Sequence, residues 1–443
     1  MTSAAERVRG GSPEERQQFI VEVFVSAFRD LMQADPDAWR GKFRKMASTP
    51  FAFYRGSAAL FYADMAGEED PFANDQTGSV WIQGDLHAAN FGTYMNSAGV
   101  LVFDVNDFDE AYVGPFTWDI KRLVASLALL GYEKALSDEE IGLLIETVIR
   151  SYAQQVARFA GAESDRAFAL TLANTEGKLL EVIRSARLRT RWELLEQFTK
   201  IEDYERTFTI DKLTRSVDAP TRQKVEAAFA EYLQTIPTRK RFGGVSYNVK
   251  DVVMRKGMGI GSAGLPSYNV LVEGPTQALE NDIIVYMKQA ATAAPSRTAT
   301  DPKIKDYFLH DGHRTVISQR ALQAYADPWL GYATLDGIGQ LVAEASPYVS
   351  DLDWGEVNDL DDIVQVLGYL GQATAKIHCV SDEDSDQTLV PFSTDQAIND
   401  VLAGHEDEFV LAMKDFGKDY GDVVRDDYRL FVDAFRNKMF PGL

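Results

Sequence analysis

The sequence predicts an α+β fold, and three observations carry that prediction. Apolar residues recur at helical spacing over both flanks of the chain. Two short β-type runs, residues 80–82 and 100–103, each lead into an acidic cluster. Glycine, valine and tyrosine then rise together from about Phe242, in a run of short strands and turns. The resulting order is helices, an acidic β-hairpin, helices, a small β-rich block, then helices.

Each element has a local reason. Ser12-Pro13-Glu14-Glu15 is a capping box with proline at the first helical position, followed by Phe19, Val23, Ala27 and Leu31 on one face. Residues 51–65 read as one helix after Pro50, and residues 68–78 as a polar surface loop. From Trp118 a helix carries Ile120, Leu123, Val124, Leu127 and Leu130. Ser137 to Glu140 is a second capping box, and helical patterns dominate to about Thr235. Further on, a helix spans 314–325, strands span 330–334 and 340–345, and the chain is helical from Asp361.

Composition excludes several classes of function. The formal charge of −22, from 45 basic and 67 acidic residues, argues against nonspecific nucleic-acid binding and against an anionic membrane surface. One cysteine, Cys379, excludes an internal disulfide and any zinc site that needs two thiolates. No segment has the unbroken apolar length of a membrane span, and the first residues lack the apolar core of a signal peptide, so a cytoplasmic location is expected. With 5 histidines in the chain, enzymatic chemistry is expected to rest on carboxylates.

The acidic hairpin concentrates such groups. Asp85 and Asn90 stand five positions apart just past one strand, and Asp107 follows a second strand with Asp104 and Asp109 beside it. If the two strands pair, these side chains converge, and their mutual repulsion invites a divalent cation. Oxygen ligands of this kind suit Mg²⁺, which takes one or two carboxylates, water and substrate phosphates. A phosphotransferase loop needs a group to receive the acceptor's proton and others to hold the metal.

The segments GDLHAANFG, FDVNDFDEA and GPFTWDIKRL resemble the catalytic region of aminoglycoside phosphotransferases and other protein-kinase-like enzymes. Those families carry H-G-D-L-H-x-x-N, then I-D-[FW]-[DE], then an aspartate at a helix start. The resemblance implies that Asp85 is the catalytic base and that Asn90 and Asp107 bind metal. It also implies that Asp119 is a structural aspartate; Asp104 fits the strand-end role as well, so the second ligand has two candidates. Gln83 stands where those families usually have the first histidine, a position that supports the loop.

A second signal is Gly259-Ile260-Gly261-Ser262-Ala263-Gly264. A strand follows it where a dinucleotide-binding fold would need a helix. Strand, glycine loop, strand is the kinase-type arrangement, in which Gly259, Gly261, Ser262 and Gly264 would cradle a triphosphate. Lys288, at the end of a third strand, matches the lysine that binds α- and β-phosphates. No glutamate lies between Lys288 and Glu344, so the usual helix partner of that lysine is missing, and Gln319 is what the intervening helix offers. The segment 341–346, with Glu344 and Ser346, is a candidate adenine-binding hinge.

In kinases the glycine loop and lysine precede the catalytic loop, whereas here they follow it. The resemblance therefore implies a circularly permuted two-lobed kinase-like fold, with a mostly helical C-lobe and a small antiparallel-sheet N-lobe. The expected divisions are an N-terminal helical segment over 1–79, a C-lobe with the catalytic hairpin over 80–238, a nucleotide-binding block over 239–350, and a helical return over 351–443. Either the helix 372–378 or the helix 53–65 would correspond to the one preceding the catalytic loop. The chain is also similar, from FAFYRG at Phe51 to RALQAYADPWLGY at Tyr332, to a bacterial family described only as a domain of unknown function.

The expected function is ATP- and Mg²⁺-dependent phosphoryl transfer to an unknown hydroxyl acceptor, a small molecule or a protein. Nucleotidyl transfer on the same site, a non-catalytic nucleotide-binding protein, and a metal-dependent hydrolase are the alternatives. Arg55 is a further candidate, either for a substrate phosphate or carboxylate or for a structural ion pair.

Overall fold

A computed structural model describes residue 8 and residues 10–162, 166–238, 241, 247–255, 267–382 and 387–443. The fold is mixed α+β, with antiparallel sheets. Helices α1 (Pro13–Ala34), α2 (Pro36–Met46), α3 (Pro50–Arg55) and α4 (Ala58–Met65) come first. Four strands follow: β1 (Val80–Ile82), β2 (Phe91–Met95), β3 (Leu101–Val105) and β4 (Tyr112–Gly114). Next come α5 (Phe116–Glu133), α6 (Asp138–Ala160), α7 (Gly177–Arg187) and α8 (Arg191–Phe198). Strands β5 (Thr199–Glu202), β6 (Glu205–Phe208) and β7 (Thr214–Ser216) lead to α9 (Ala219–Thr235). The sheet strands β8 (Val249–Arg255), β9 (Ser267–Val272) and β10 (Ile283–Gln289) precede α10 (Pro302–Tyr307) and α11 (Asp311–Gln323). The chain continues through β11 (Gly331–Leu335), β12 (Ile338–Glu344), β13 (Ser350–Asp351), α12 (Leu360–Cys379), α13 (Thr394–Leu402) and α14 (Glu406–Arg436).

Both capping boxes form as the sequence predicts, with Ser12 and Ser137 each accepting from the backbone of the glutamate three residues on. The buried face of α1 differs from the expected one. Ile20, Val21, Phe24 and Met32 are buried, whereas Phe19, Val23, Ala27 and Leu31 pack at its margin. The expected helix over 51–65 is two helices. The break falls at Gly56, which caps α3 and lies so close to α2 that a Cβ there would sit 2.6 Å from Met46 Sδ and push that side chain aside. Strands β5 to β7 interrupt a region expected to be helical, and β7 pairs with β8.

The acidic hairpin also pairs differently from the simplest expectation. β1 pairs with β4, and β2 pairs with β3, which β2 meets through the Asn96–Gly99 turn. The two ribbons still bring the loop after β1 beside the loop after β3. Among the described residues, the larger sheet has the strand order β11-β12-β10-β9-β8-β7. Its residues alternate between two faces. Val270, Val272, Val285 and Met287 pack on Phe229 and Tyr232 of α9, while Leu271 and Ile284 pack on Leu195 and Phe208. Most of the other helices gather around a separate, larger core.

Helix α5 runs through that larger core and is buried from Phe116 to Gly131, charged residues included. Each buried charge on it is met. Lys121 pairs with Glu68 and Asp70 at 3.0 Å, Arg122 pairs with Asp85, and Asp119 accepts hydrogen bonds described below. A second buried tie closes the helical part. Arg16 of α1 forks onto Asp64 of α4 at 2.7 Å and onto Asp427 of α14 at 2.6 Å. Among the described residues, no helix is long and apolar enough to cross a membrane.

Candidate functional site

The loop between β1 and β2, residues 83–90, is held from below by one stripe of α5. Residues 119, 122 and 126 share a face at helical spacing. Asp119 accepts from the backbone N–H of Gln83 at 2.6 Å and of Gly84 at 2.9 Å. Arg122 donates its Nε and Nη2 to Asp85 Oδ1. Ser126 Oγ accepts from Ala88 N–H at 2.9 Å. Behind Asp119, His378 Nε2 lies 3.2 Å from its Oδ2, and Tyr152 holds the other ring nitrogen at 3.0 Å. Asp119 thus anchors the start of the loop, and His378 brings α12 up against it.

Gln83 ties this loop to the one after β3. Its Oε1 accepts from Asp85 N–H at 2.8 Å, and its Nε2 donates to Asn106 O at 3.1 Å and to Asp107 O. A glutamine makes both contacts with one amide. Gly84, at φ +83°, presses against Glu110 so closely that a Cβ would lie 2.0 Å from its carbonyl oxygen. Asn90 O accepts from Asn106 N–H at 3.0 Å, which sets Asn90 beside the turn that carries Asp107. Asp107 itself has φ 55°, a left-handed conformation that costs energy in a non-glycine residue.

The electrostatics follow from this crowding. Desolvation raises the Asp85 carboxyl to about 7, with help from Glu110 and Asp107 and against the pull of Arg122. Asp107 keeps solvent access. Desolvation in the cleft, together with Asp109, nevertheless pushes it up to about 6, against Lys288. His87 is buried, and burial with Arg55 and Arg122 nearby keeps it neutral. Its Nδ1 accepts from Ala89 N–H at 3.2 Å, so the ring proton is on Nε2, 3.9 Å from Asp85 Oδ2.

Lys288, on β10, ion-pairs with Asp109, 179 positions earlier in the chain. Its carboxylate partner therefore comes from the loop after β3 and not from α11. Against desolvation, Asp109 and Asp107 hold the Lys288 ammonium above its ordinary range. Arg314 of α11 fixes the meeting point, donating to Asp109 O at 2.9 Å, Ala111 O at 2.6 Å and Ala291 O at 2.8 Å.

Asp107, Asp109, Lys288, Gln319, Glu344 and Ser346 line one cavity of about 200 Å³. Glu344 is held there by Arg191 at 2.6 Å, and Ser346 Oγ accepts from Tyr348 N–H at 3.3 Å. Gln319 bonds Gln323 at 3.1 Å and makes no hydrogen bond with Lys288. Asp104 is not part of this group. It is buried on β3, where Lys376, Tyr94 and the Val105 N–H engage its carboxylate. The loop residues Gly259, Gly261, Ser262 and Gly264 lie outside the described residues; the strands flanking them, β8 and β9, pair with Arg255 opposite Ser267.

Among the described residues, no three His, Cys, Asp or Glu side chains close around one point as a ready-made metal site. The residues fit Mg²⁺ in its substrate-dependent mode. Asp107 is a crowded carboxylate facing a second one, and Asn90 donates Nδ2 to Asp85 O at 3.0 Å while its Oδ1 accepts no hydrogen bond from the described residues. Arg122 and Arg314 were not singled out from the sequence. Arg122 carried a signal, since a cation three residues after Asp119 interrupts an apolar helix face.

No curated protein and no solved structure matches the chain. A family model matches residues 33–434, and on that match the chain belongs to DUF2252, described as an uncharacterized protein family conserved in bacteria.

Proposed function

We propose that the protein is an ATP- and Mg²⁺-dependent phosphotransferase acting on a hydroxyl acceptor. The observation that carries this reading is the meeting of Lys288 with the Asp107–Asp109 turn across 179 positions of chain. The sheet supports it too. Strands β8-β9-β10-β12-β11 lie in that order, with α11 between β10 and β11 in sequence, as in the small lobe of a kinase-like enzyme in permuted order. Lys288 and the 259–264 loop bind the triphosphate in this reading, and Glu344 and Ser346 stand at the adenine end.

Asn90 and Asp107 would hold Mg²⁺, which when bound would supply charge neutralisation on the phosphates. Asp85 receives the proton of the acceptor hydroxyl on Oδ2, while Arg122 occupies Oδ1 and fixes the carboxylate plane. Asp119 and Gln83 keep the loop in register with the metal residues. Nucleotidyl transfer would use the same residues with ATP bound in the opposite sense.

Calorimetry tests the reading. ATP binding is expected to require Mg²⁺ and to weaken by about tenfold or more in both Asp107→Ala and Lys288→Ala, roughly 1.4 kcal/mol or more each. Absence of ATP binding in the wild type would sink it.

The pH profile tests Asp85 separately. The base works ionised, so kcat/KM is expected to rise with pH and to level off above about 7, where the carboxyl titrates. Arg122 pulls that value down, so Arg122→Met should move the acid limb to higher pH. A limb that stays in place in Arg122→Met would assign it to another group.

A further inference from the structure

A second cavity, of about 340 Å³, adjoins the one that Lys288 lines. Tyr94 and Gln323 line both, so the two share a wall. The volume lies in the range of small-molecule sites, roughly 300–1,000 Å³. Protein interiors are otherwise close-packed, so a gap of this size needs elements that hold it open.

The walls come from separate parts of the chain. The β2–β3 hairpin supplies Val100 and Val102, the segment 166–171 supplies Phe168 and Leu170, and α12 supplies Ala373. Phe103 N–H donates to Leu170 O at 2.9 Å and fixes that segment along β3. These apolar walls meet a polar patch, where Lys376 pairs with Asp104 and donates to Gln323 O at 3.1 Å.

The remaining side is set by an uncommon turn. Helix α11 ends at Gln323, and Ala324 has φ 59° and ψ −53°. Tyr325 N–H donates back to Gln323 O at 2.6 Å, which closes a γ-turn of the rare, strained kind. An alanine held in that conformation costs energy, and such strain gathers at ligand sites. The turn places Tyr325 on the cavity, and Ser97 N–H pins it by donating to Tyr325 O at 3.1 Å. Tyr325 and Val100, each 43% exposed, form the rim.

The lining also selects a ligand. Asp104 and Lys376 cancel, and Arg166 adds one positive charge, in a chain whose net charge is −22. The rings of Tyr94, Phe168 and Tyr325 favour a flat apolar body. We propose that this cavity binds a small aromatic carboxylate, its ring between the apolar walls and its carboxylate toward Arg166. The proposal goes beyond the phosphotransferase reading and does not rest on it.

Indole-3-acetate, indole-3-acetamide and tryptamine share one ring system and differ in charge. They are the probes, titrated calorimetrically into the full chain without nucleotide. Indole-3-acetate is expected to bind with a Kd below about 1 mM, more tightly than the neutral acetamide and at least about tenfold more tightly than tryptamine. Arg166→Gln should erase that preference, bringing indole-3-acetate to within about threefold of the acetamide. Phe168→Ala should weaken both by similar factors, with a melting curve to show that the chain stays folded. Lys288→Ala should leave both affinities unchanged, because Lys288 lines the other cavity. Tryptamine binding as tightly as indole-3-acetate, or an unaltered preference in Arg166→Gln, overturns the assignment. So does loss of indole-3-acetate binding in Lys288→Ala, which would seat the molecule in the neighbouring cavity. Absence of binding by all the probes up to about 1 mM overturns it as well.

Discussion

Asp85→Asn is expected to lower phosphoryl transfer by roughly a hundred- to ten-thousand-fold while Mg²⁺-ATP binding changes little. The substitution keeps the size of the side chain and its place above Arg122, but the amide cannot take the proton of an attacking hydroxyl. The loss should fall on kcat, because the groups proposed to hold the nucleotide, Lys288 and the Asp107 turn, are untouched. Arg122 is fully buried and loses its carboxylate in this variant, so a melting curve belongs beside the kinetics. Turnover within about tenfold of wild type in a folded Asp85→Asn would remove Asp85 from the chemistry.

The second large effect is on stability. Arg16→Met should destabilise the protein by about 3–5 kcal/mol, the cost of removing one member of a buried ion network. Arg16 neutralises Asp64 and Asp427 together, and Tyr420 adds a hydrogen bond to Asp64 at 2.7 Å. Without the guanidinium, two buried carboxylates lose the positive charge they share. The triple variant Arg16→Met, Asp64→Asn, Asp427→Asn should recover most of the loss, since it removes the charges along with their partner. An unchanged denaturation midpoint in Arg16→Met would show that the network contributes nothing net.

What the sequence made legible was local. The capping boxes at Ser12 and Ser137 involve residues three apart, and both form. The strand identities of the β-rich block were readable because alternation and turn residues are short-range. Pairing was harder: β1 finds β4 rather than β3, and that choice depends on register across intervening loops. The same limit hid the partners of charged residues. Asp104 and Asp107 stand three positions apart, and what separates them is burial of Asp104 on β3 against Lys376 of α12, while Asp107 lies exposed in the turn. The sequence points to the following helix for the partner of Lys288, whereas Asp109 comes from the acidic hairpin.

Helix α5 shows what sequence reading can still extract. A run with Asp119, Arg122 and Ser126 among apolar residues looks at first like an imperfect core helix. Each of these polar groups reaches the 83–88 loop, so the imperfections trace the support of the site.

The Arg16 network has a consequence for the protein during its own synthesis. Arg16 and Asp427 are 411 positions apart. A ribosome adding about 5–20 residues per second needs roughly 20–80 s to pass from one to the other. Throughout that interval Arg16 can satisfy Asp64 alone, and the docking face of α1 has no α14 to cover it. The nascent chain is therefore expected to hold an open, chaperone-accessible surface until α14 emerges, so that final closure is a late event set by translation rather than by the intrinsic folding rate of the N-terminal helices.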